Sequence, residues 1–340
     1  MVKKLWYALL AIAIGLASSV PVSAQEPFYK GKIMRIIVGA SAGGAFDTYS
    51  RAIARHMGKH IPGNPTIIVE NMPGAGHLIA ANHVYKVAKP DGLTIGHFNG
   101  GLLMGQILGR PGIEFDALKF EYIGAPLKPS TLCTLTKAGG ITSMEKWMVS
   151  KTPVKLGSTG PGSNTDDYPR ILKAVLGLPI HLVTGYKGVA DIRLAAEAGE
   201  VAGGCWGWET IKLMWLTAIE SGDVVIVLQL LPKPHPDLPQ VPLAIDSAKT
   251  DEARKLIQVG IYDSETYSRP YTLPPGTPKE RVDTLRNAFM ATMKDPEFLA
   301  EARKSKMDIE PVSGEELQKT IARLFKIEPA LAAKLKEILK

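Results

Sequence analysis

Two glycine- and serine-rich segments contain the residues best suited to binding a charged ligand. Residues 41–47 (SAGGAFD) and 158–164 (STGPGSN) each lie between a predicted strand and a predicted helix. The first turn of a helix carries unpaired backbone N–H groups and the positive end of the helix dipole, which attract anions. Glycines allow a ligand to approach the backbone closely. The pair of segments predicts two facing halves of one anion-binding cleft.

Other motifs in the sequence favour structure over catalysis. The phosphate-binding pattern Gly-x-x-x-x-Gly-Lys-Ser/Thr does not occur, and residues 74–76 (GAG) lack the third glycine of a dinucleotide fingerprint. Ser143 and Lys146 match a Ser-x-x-Lys nucleophile pattern, but their position at a predicted helix start favours capping. His56 and His60 have the spacing of two metal ligands on a helix, and the sequence shows no third. We predict no catalytic residue, no cofactor and no metal.

Strands alternate with helices along most of the chain. Residues 33–38 form a β-branched strand, and Phe46, Tyr49, Ile53 and Met57 then recur at helical spacing, which predicts that most of them face a core. Further strands are predicted at 66–69, 93–98, 154–157, 181–183 and 224–230, with helices at 74–87, at 168–176 and one that ends near 199. This alternation predicts an α/β fold.

Prolines and helix-capping residues mark the last third of the chain. Five prolines between residues 232 and 242 interrupt regular structure, and we predict a return crossing between domains near 225–240. Two helices are predicted in this tail. One begins at Thr277, which is followed by a first-turn proline, Pro278, and the other begins at Ser313, with Glu316 three positions later.

Residues 1–24 have the features of a cleavable secretory signal. Lys3 and Lys4 precede an apolar stretch at 5–20, and Val22-Ser23-Ala24 places small residues around the expected cleavage site. An uncleaved membrane anchor is the alternative, but the stretch is short for a bilayer core about 30 Å thick. We predict export with cleavage near Ala24.

Composition narrows the function classes further. With 340 residues, 45% hydrophobic and 21% charged, the chain can form two domains and is neither disordered nor a polytopic membrane protein. The net charge of +7 comes from scattered residues without a nucleic-acid-binding motif, so nucleic acid is not an expected partner. An oxidising compartment would permit a disulfide between Cys133 and Cys205. Their apolar surroundings favour two buried thiols, which is our expectation.

Six short motifs, taken in order, resemble the solute receptors of tripartite tricarboxylate transporters, the Bug or TctC-like family of periplasmic binding proteins. The motifs begin at Gly43 (GGxxD), Asn71 (NMPGAG), Pro90 (PDGLT), Ser158 (SxGxGS), Tyr186 (YKG) and Pro274 (PPGTP). The resemblance covers nearly the whole mature chain. It implies a two-lobed type II periplasmic binding protein fold, in which each lobe is a mixed sheet flanked by helices. The implied lobes are residues 25–125 plus 235–340 and residues 126–234.

The resemblance also implies a function and a binding site. A receptor of this kind is a monomer that closes on a small organic acid and passes it to membrane permease subunits, without catalysing a reaction. Backbone amides of the two glycine loops are expected to hold one carboxylate. The predicted ligand-binding residues are Ser41, Ala42, Gly43, Gly44, Phe46, Asp47, Asn99, Ser158, Thr159, Gly160, Ser163, Asn164, Tyr186, Lys187, Gly188 and Trp206.

Departures from the family pattern bear on the ligand. Ser41 and Ala42 stand where prolines are usual, and Asp166 and Asp167 follow the second loop, where they would repel an anion unless they cap the helix. We expect capping. Four aromatic residues, Phe46, Phe98, Trp206 and Trp208, are predicted to contact an apolar or aromatic part of the ligand. The alternatives are a receptor that signals to a membrane kinase, and a hydrolase with Asp47 or Asp166 as base.

Overall fold

The computed structural model describes residues 26–340, which form two mixed β-sheets, each flanked by helices. This architecture confirms the predicted α/β fold class. The predicted signal sequence, residues 1–24, lies outside the described residues. Within residues 26–340, the helices all fall short of the length and apolar character needed to span a membrane.

The elements are numbered in chain order. The strands are β1 (Ile33–Val38), β2 (Thr66–Asn71), β3 (Thr94–His97), β4 (Glu121–Ala125), β5 (Thr131–Thr136), β6 (Val154–Ser158), β7 (Ile180–Thr184), β8 (Gly203–Gly207), β9 (Val224–Gln229), β10 (Tyr271–Leu273) and β11 (Val312–Ser313). The helices are α1 (Ala45–Met57), α2 (Leu78–Lys86), α3 (Gly101–Ile107), α4 (Met144–Met148), α5 (Asn164–Leu176), α6 (Val189–Glu197), α7 (Trp208–Glu220), α8 (Asp251–Ile257), α9 (Asp263–Glu265), α10 (Lys279–Thr292), α11 (Pro296–Lys304), α12 (Gly314–Leu324) and α13 (Pro329–Ile338).

The first sheet has the strand order β11-β4-β10-β3-β1-β2. Strand β1 pairs in parallel with β2 and β3, and β10 is antiparallel to β3 and β4. Helix α1 follows β1 and packs on this sheet through Tyr49, Ile53 and Met57, which are buried as their spacing predicts. Phe46, at the start of α1, is only half-buried, unlike Tyr49, Ile53 and Met57.

The second sheet has the order β7-β6-β8-β5-β9. Strand β6 is parallel to β7 and β8, whereas β5 is antiparallel to β8 and β9. In each sheet a parallel β-strand leads through a glycine loop into a helix, β1 into α1 and β6 into α5. The two glycine loops therefore occupy equivalent positions, one in each lobe.

The chain passes between the lobes twice, from β4 to β5 and from β9 back to β10. Between β9 and β10, helix α8 packs against α5 of the second lobe, and the hydroxyls of Tyr168 and Ser264 are 2.5 Å apart. Helix α13 also contacts α5. Helices α8 and α13, which the sequence-based lobe boundaries placed in the first lobe, thus contact the second lobe. The chain returns to the first sheet only after residue 265. The lobe boundaries themselves stay a prediction.

Cys133 and Cys205 form a disulfide, so the expectation of two buried thiols was wrong. The residues lie directly opposite each other on the antiparallel strands β5 and β8. Both are fully buried in the core of the second lobe. The pairing depends on a strand register that joins residues 72 positions apart, which composition and local pattern do not reveal.

Of the hydroxyl residues predicted as helix caps, Ser143 and Ser313 are confirmed and Thr277 is not. The side chain of Ser143 accepts the Lys146 amide at 3.3 Å, and that of Ser313 accepts the Glu316 amide at 3.2 Å. Ser143 is therefore a helix cap, in agreement with its structural interpretation. Thr277 is not a cap, because its hydroxyl donates to the carbonyl of Pro274 at 2.8 Å and helix α10 begins two residues later.

Asp295 stabilises helix α11 and joins it to α1. Its carboxylate accepts the amides of Glu297 at 2.9 Å and Phe298 at 3.1 Å, and lies 2.8 Å from the Lys59 ammonium. Replacement by alanine is expected to lower the free energy of unfolding at pH 7 by about 1–2 kcal/mol, the usual cost of losing an N-cap. Urea denaturation measures the difference.

The same variant should show a defined pH dependence. The hydrogen bond from Lys59 leads the effects that hold the pKa of Asp295 well below its ordinary value. A depressed carboxyl pKa contributes stability above the unfolded-state pKa, and this contribution is lost in acid. The difference between wild type and Asp295→Ala should therefore shrink at pH 3. The control is Asp251→Ala, which removes an exposed carboxylate from the start of α8. Asp251 is not the N-cap of that helix, because Thr250 is. Equal losses in both variants would refute the capping role.

Candidate functional site

A small cavity lies between the two lobes where the glycine loops meet. Its volume is about 40 Å³, room for roughly three ordered water molecules. It is bordered by nine of the predicted residues, Ser41, Gly44, Phe46, Asn99, Thr159, Ser163, Asn164, Gly188 and Trp206. An organic acid of several carbon atoms needs more space, so the lobes must separate to admit one.

The first turns of four described helices, α1, α5, α6 and α7, border the cavity. Their N-cap residues are Gly44, Ser163, Gly188 and Gly207, and within the described chain none of these provides a side-chain cap. Four positive helix ends thus converge on one space, although the amides of Ser163 and Trp208 already donate to backbone carbonyls, those of Gly160 and Ser130. Such an arrangement favours an anion.

Acidic side chains in these first turns are paired and do not border the cavity. Asp47 accepts a hydrogen bond from Arg51 at 2.9 Å, and Asp166 lies 2.5 Å from Arg170. Asp167 forms a 2.6 Å ion pair with Arg110 of the first lobe. The cationic partner of each of these three carboxylates offsets its repulsion of an anion. The expectation that Asp166 and Asp167 cap the helix was wrong, because Ser163 is the N-cap residue and the two carboxylates accept hydrogen bonds from the Ser158 hydroxyl and the Gly162 amide.

Backbone amides of the two glycine loops were expected to hold the ligand carboxylate, but three of them donate to side chains of the protein. The amide of Gly43 donates to Asp47 at 3.0 Å, and in the second loop those of Gly160 and Gly162 donate to Ser158 and Asp167 at 3.0 and 3.1 Å. These bonds shape the loops and occupy the amides. A ligand carboxylate would instead meet the N–H groups of the helix first turns.

Hydrogen bonds across the cleft hold the lobes together. The Ser41 amide donates to the Lys187 carbonyl at 3.1 Å, and its hydroxyl donates to Asp191 at 2.8 Å. A methyl group on Gly188 would lie 2.3 Å from the Ser41 hydroxyl, and one on Gly76 would lie 2.9 Å from the Gly160 carbonyl oxygen. Glycine at these positions permits the lobes to close.

The remaining predicted residues do not border the cavity. Asp47 and Ser158 form the loop contacts described above, while Gly160 contacts the other lobe. Lys187 is exposed to solvent. The seven predicted residues that do not line the cavity are Ala42, Gly43, Asp47, Ser158, Gly160, Tyr186 and Lys187.

Arg269 is the buried cation of the cavity, and sequence reasoning missed it. It is 6% exposed and lies just before β10, where its Nη2 donates to Glu209 and, at 3.3 Å, to Thr210. Its Nε and Nη1 are buried and have no hydrogen-bond partner among residues 26–340. The surrounding sequence, Tyr-Ser-Arg-Pro-Tyr at 267–271, carries no pattern that marks Arg269 as a binding residue.

The family model for the tripartite tricarboxylate transporter family receptor, TctC, matches residues 50–336. The chain belongs to the TctC family. A relative from Cupriavidus necator, described as the UPF0065 protein in the gbd 5'region, is 25% identical over 334 residues, covering 96% of this chain and 94% of its own. The family consists of solute-binding receptors, which confirms the prediction that the chain is not an enzyme.

Solved structures share the fold of this TctC chain. The periplasmic binding protein BugD is 24% identical with a TM-score of 0.75, covering 91% of this chain and 98% of its own. MatC from Rhodopseudomonas palustris, solved with malate, is 19% identical with a TM-score of 0.71, covering 91% and 99%. A second R. palustris protein, solved with adipate, is 21% identical with a TM-score of 0.72, covering 90% and 98%.

Two of the four aromatic residues predicted to contact the ligand border the cavity of this TctC receptor. Phe46 and Trp206 do so, whereas Phe98 and Trp208 are buried in hydrophobic clusters away from it. His77, which was not predicted, also lines the cavity, 4.7 Å from the Phe46 ring. Burial, followed by the charge of Arg269, lowers the pKa of His77 to about 3, so its imidazole is neutral at pH 7.

His56 and His60 belong to a cluster of ion pairs in the first lobe of the receptor. The Nε2 atom of His56 lies 2.8 Å from Glu301, and that of His60 lies 2.9 Å from Asp295. His56, Asp295 and Glu297 bring potential metal ligands within 4.8 Å of one another. Lys59 occupies both carboxylates, at 2.8 and 2.6 Å, which argues against a cation there.

Proposed function

We propose that this receptor captures a small organic acid between its lobes and delivers it to the permease subunits of a tripartite tricarboxylate transporter. The observation that carries the proposal is the convergence of four uncapped helix N-termini, within the described chain, on one cavity between the lobes. Ligand binding must favour the closed arrangement over the open one, since only a differential affinity shifts that equilibrium. Comparing uptake of the bound acid by cells with and without the receptor tests delivery.

The ligand we propose is a carboxylate with an apolar or aromatic portion. The helix first turns suit the carboxylate, and Phe46 and Trp206 offer the apolar surface. Structural neighbours solved with malate and adipate support an acid of this size.

We further propose that the receptor acts as a periplasmic monomer after cleavage of its signal near Ala24. The Cys133–Cys205 disulfide supports export, because disulfides persist in oxidising compartments such as the periplasm. Family members are periplasmic binding proteins.

Replacing Gly44 by valine is expected to weaken acid binding at least tenfold while lowering the free energy of unfolding by only about 1 kcal/mol, because valine is a poorer N-cap residue than glycine. Gly44 borders the cavity, and an added Cβ would have no described atom within 4 Å. Its φ of −83° is accessible to any residue, so the fold should tolerate the change. The added methyl groups should instead block the approach of a carboxylate to the first turn of α1. Calorimetric titration with adipate, malate and aromatic acids measures the effect.

Gly44→Ala provides the graded control, with an intermediate loss expected from its smaller side chain. Thermal denaturation of both variants without ligand checks that the fold is retained. Unchanged affinity in a stable Gly44→Val protein would show that the acid does not bind at this helix end.

A further inference from the structure

We propose that Arg269 is the specificity-determining residue of this receptor and holds a second acidic group of the ligand, so that diacids bind more tightly than monoacids of equal length. This inference rests on the proposed function and specifies its ligand. It concerns a contact separate from the two glycine loops, because Arg269 belongs to the segment that re-enters the first lobe just before β10.

The hydrogen bonding of Arg269 is incomplete within the described chain. A guanidinium has five N–H donors, and the contacts to Glu209 and Thr210 both use Nη2. Nε and Nη1 are buried without a partner among the described residues. Leaving a buried charged donor unpaired costs free energy, so such donors are normally satisfied. Because Arg269 borders the cavity, a ligand can supply the missing acceptor.

The surroundings hold Arg269 in place for this role. Its guanidinium carbon lies 4.5 Å from the centroid of the Phe46 ring, within the range of a cation–π contact. The ion pair with Glu209 is buried on both sides, with exposures of 7% and 1%. Since both contacts restrict the side chain, little conformational entropy is lost when an acceptor binds.

The charge of the cavity favours an anion. Each helix N-terminus is equivalent to roughly +0.5 elementary charge, so the four that border the cavity sum to about +2. Glu209 balances the charge of Arg269, and His77 is neutral, whereas Asp191 in the first turn of α6 accepts from the Ser41 hydroxyl and lowers the total to about +1. The preference for a diacid therefore depends on the donors of Arg269, which a monoanion held at the helix ends leaves unused.

The test compares acids that differ by one carboxylate. Wild type is titrated calorimetrically with adipate and hexanoate, and with malate and 3-hydroxybutyrate, after co-purified ligand has been removed by reversible unfolding. Wild type should bind each diacid at least tenfold more tightly than its monoacid. The variant Arg269→Gln/Glu209→Gln removes the buried ion pair without leaving one charge unpaired. It should lose at least tenfold in affinity for the diacids and change by less than threefold for the monoacids.

The outcomes separate this inference from the proposed function. Equal losses for diacids and monoacids in the double variant would make Arg269 a merely structural residue and overturn the inference. So would a wild type that binds hexanoate as tightly as adipate, although the proposed function would then stand. If wild type binds neither diacid, the inference fails, and if it also binds none of the aromatic acids and monoacids, the proposed function fails with it. Thermal denaturation confirms folding of each variant.

Discussion

Loss of the Cys133–Cys205 disulfide is expected to lower the free energy of unfolding by about 4 kcal/mol. The bridge closes a loop across a sequence separation of 72 residues, and the chain-entropy model assigns about 4 kcal/mol to a loop of that length. The bridge also lies in the core of the second lobe, joining β5 directly to β8. Urea denaturation of oxidised and reduced wild type measures the effect.

Alanine variants distinguish the bridge from the packing of its sulfur atoms. Cys133→Ala, Cys205→Ala and the double variant all break the same bond, so their losses should be similar and far from additive. Additive losses, or a reduced protein as stable as the oxidised one, would contradict a stabilising disulfide. A single free thiol can form mixed disulfides, so the single variants are measured under reducing conditions.

Local sequence pattern predicted part of the framework of the site. Strand β1 was predicted at 33–38 and lies at Ile33–Val38, and the glycine loops occur where a strand leads into a helix in each lobe. These features depend on residues close in sequence, such as β-branched runs and glycines. Helix α7 was not predicted, and α5 begins at Asn164 where the sequence predicted a start at 168, so the first turns of these two helices were missed.

Contacts between distant segments could not be predicted in the same way. Arg269 reaches the cavity because β10 is inserted between β3 and β4, a topology that no local pattern around residue 269 encodes. The distinction between Trp206 and Trp208 was equally inaccessible. Both residues pack in the same hydrophobic cluster at the junction of β8 and α7, but only Trp206 of the two also borders the cavity.

Glu265 is expected to make the protein less stable as the pH rises from about 4.5 to 7. Burial raises the pKa of Glu265 to about 7, while a hydrogen bond from Thr131 partly opposes the shift. Thr131 begins β5 after the first crossing, and Glu265 ends α9 before the second, so this 2.7 Å contact joins the two segments that connect the lobes.

The sign follows from proton binding. Between pH 4.5 and 7 the folded protein retains the proton on Glu265 and the unfolded chain releases it, so unfolding becomes more favourable as pH rises. A shift from 4.5 to about 7 corresponds to about 3 kcal/mol. Glu265→Gln keeps a neutral side chain of similar shape at every pH and should lack this decline.

The measurement is the difference in unfolding free energy between wild type and Glu265→Gln, obtained by urea denaturation at pH 4.5, 6 and 8. Taking the difference cancels the titration of every other group that the substitution leaves unchanged, and the variant should gain about 3 kcal/mol relative to wild type across this range. Glu310→Gln, at an exposed position, should show no such trend. A constant difference for Glu265→Gln would mean that the positive charge of Arg269 outweighs burial and the negative charge of Glu209, and so leaves Glu265 ionised in the folded protein. The Thr131 contact would then join the crossings through a carboxylate, and acid rather than base would weaken it.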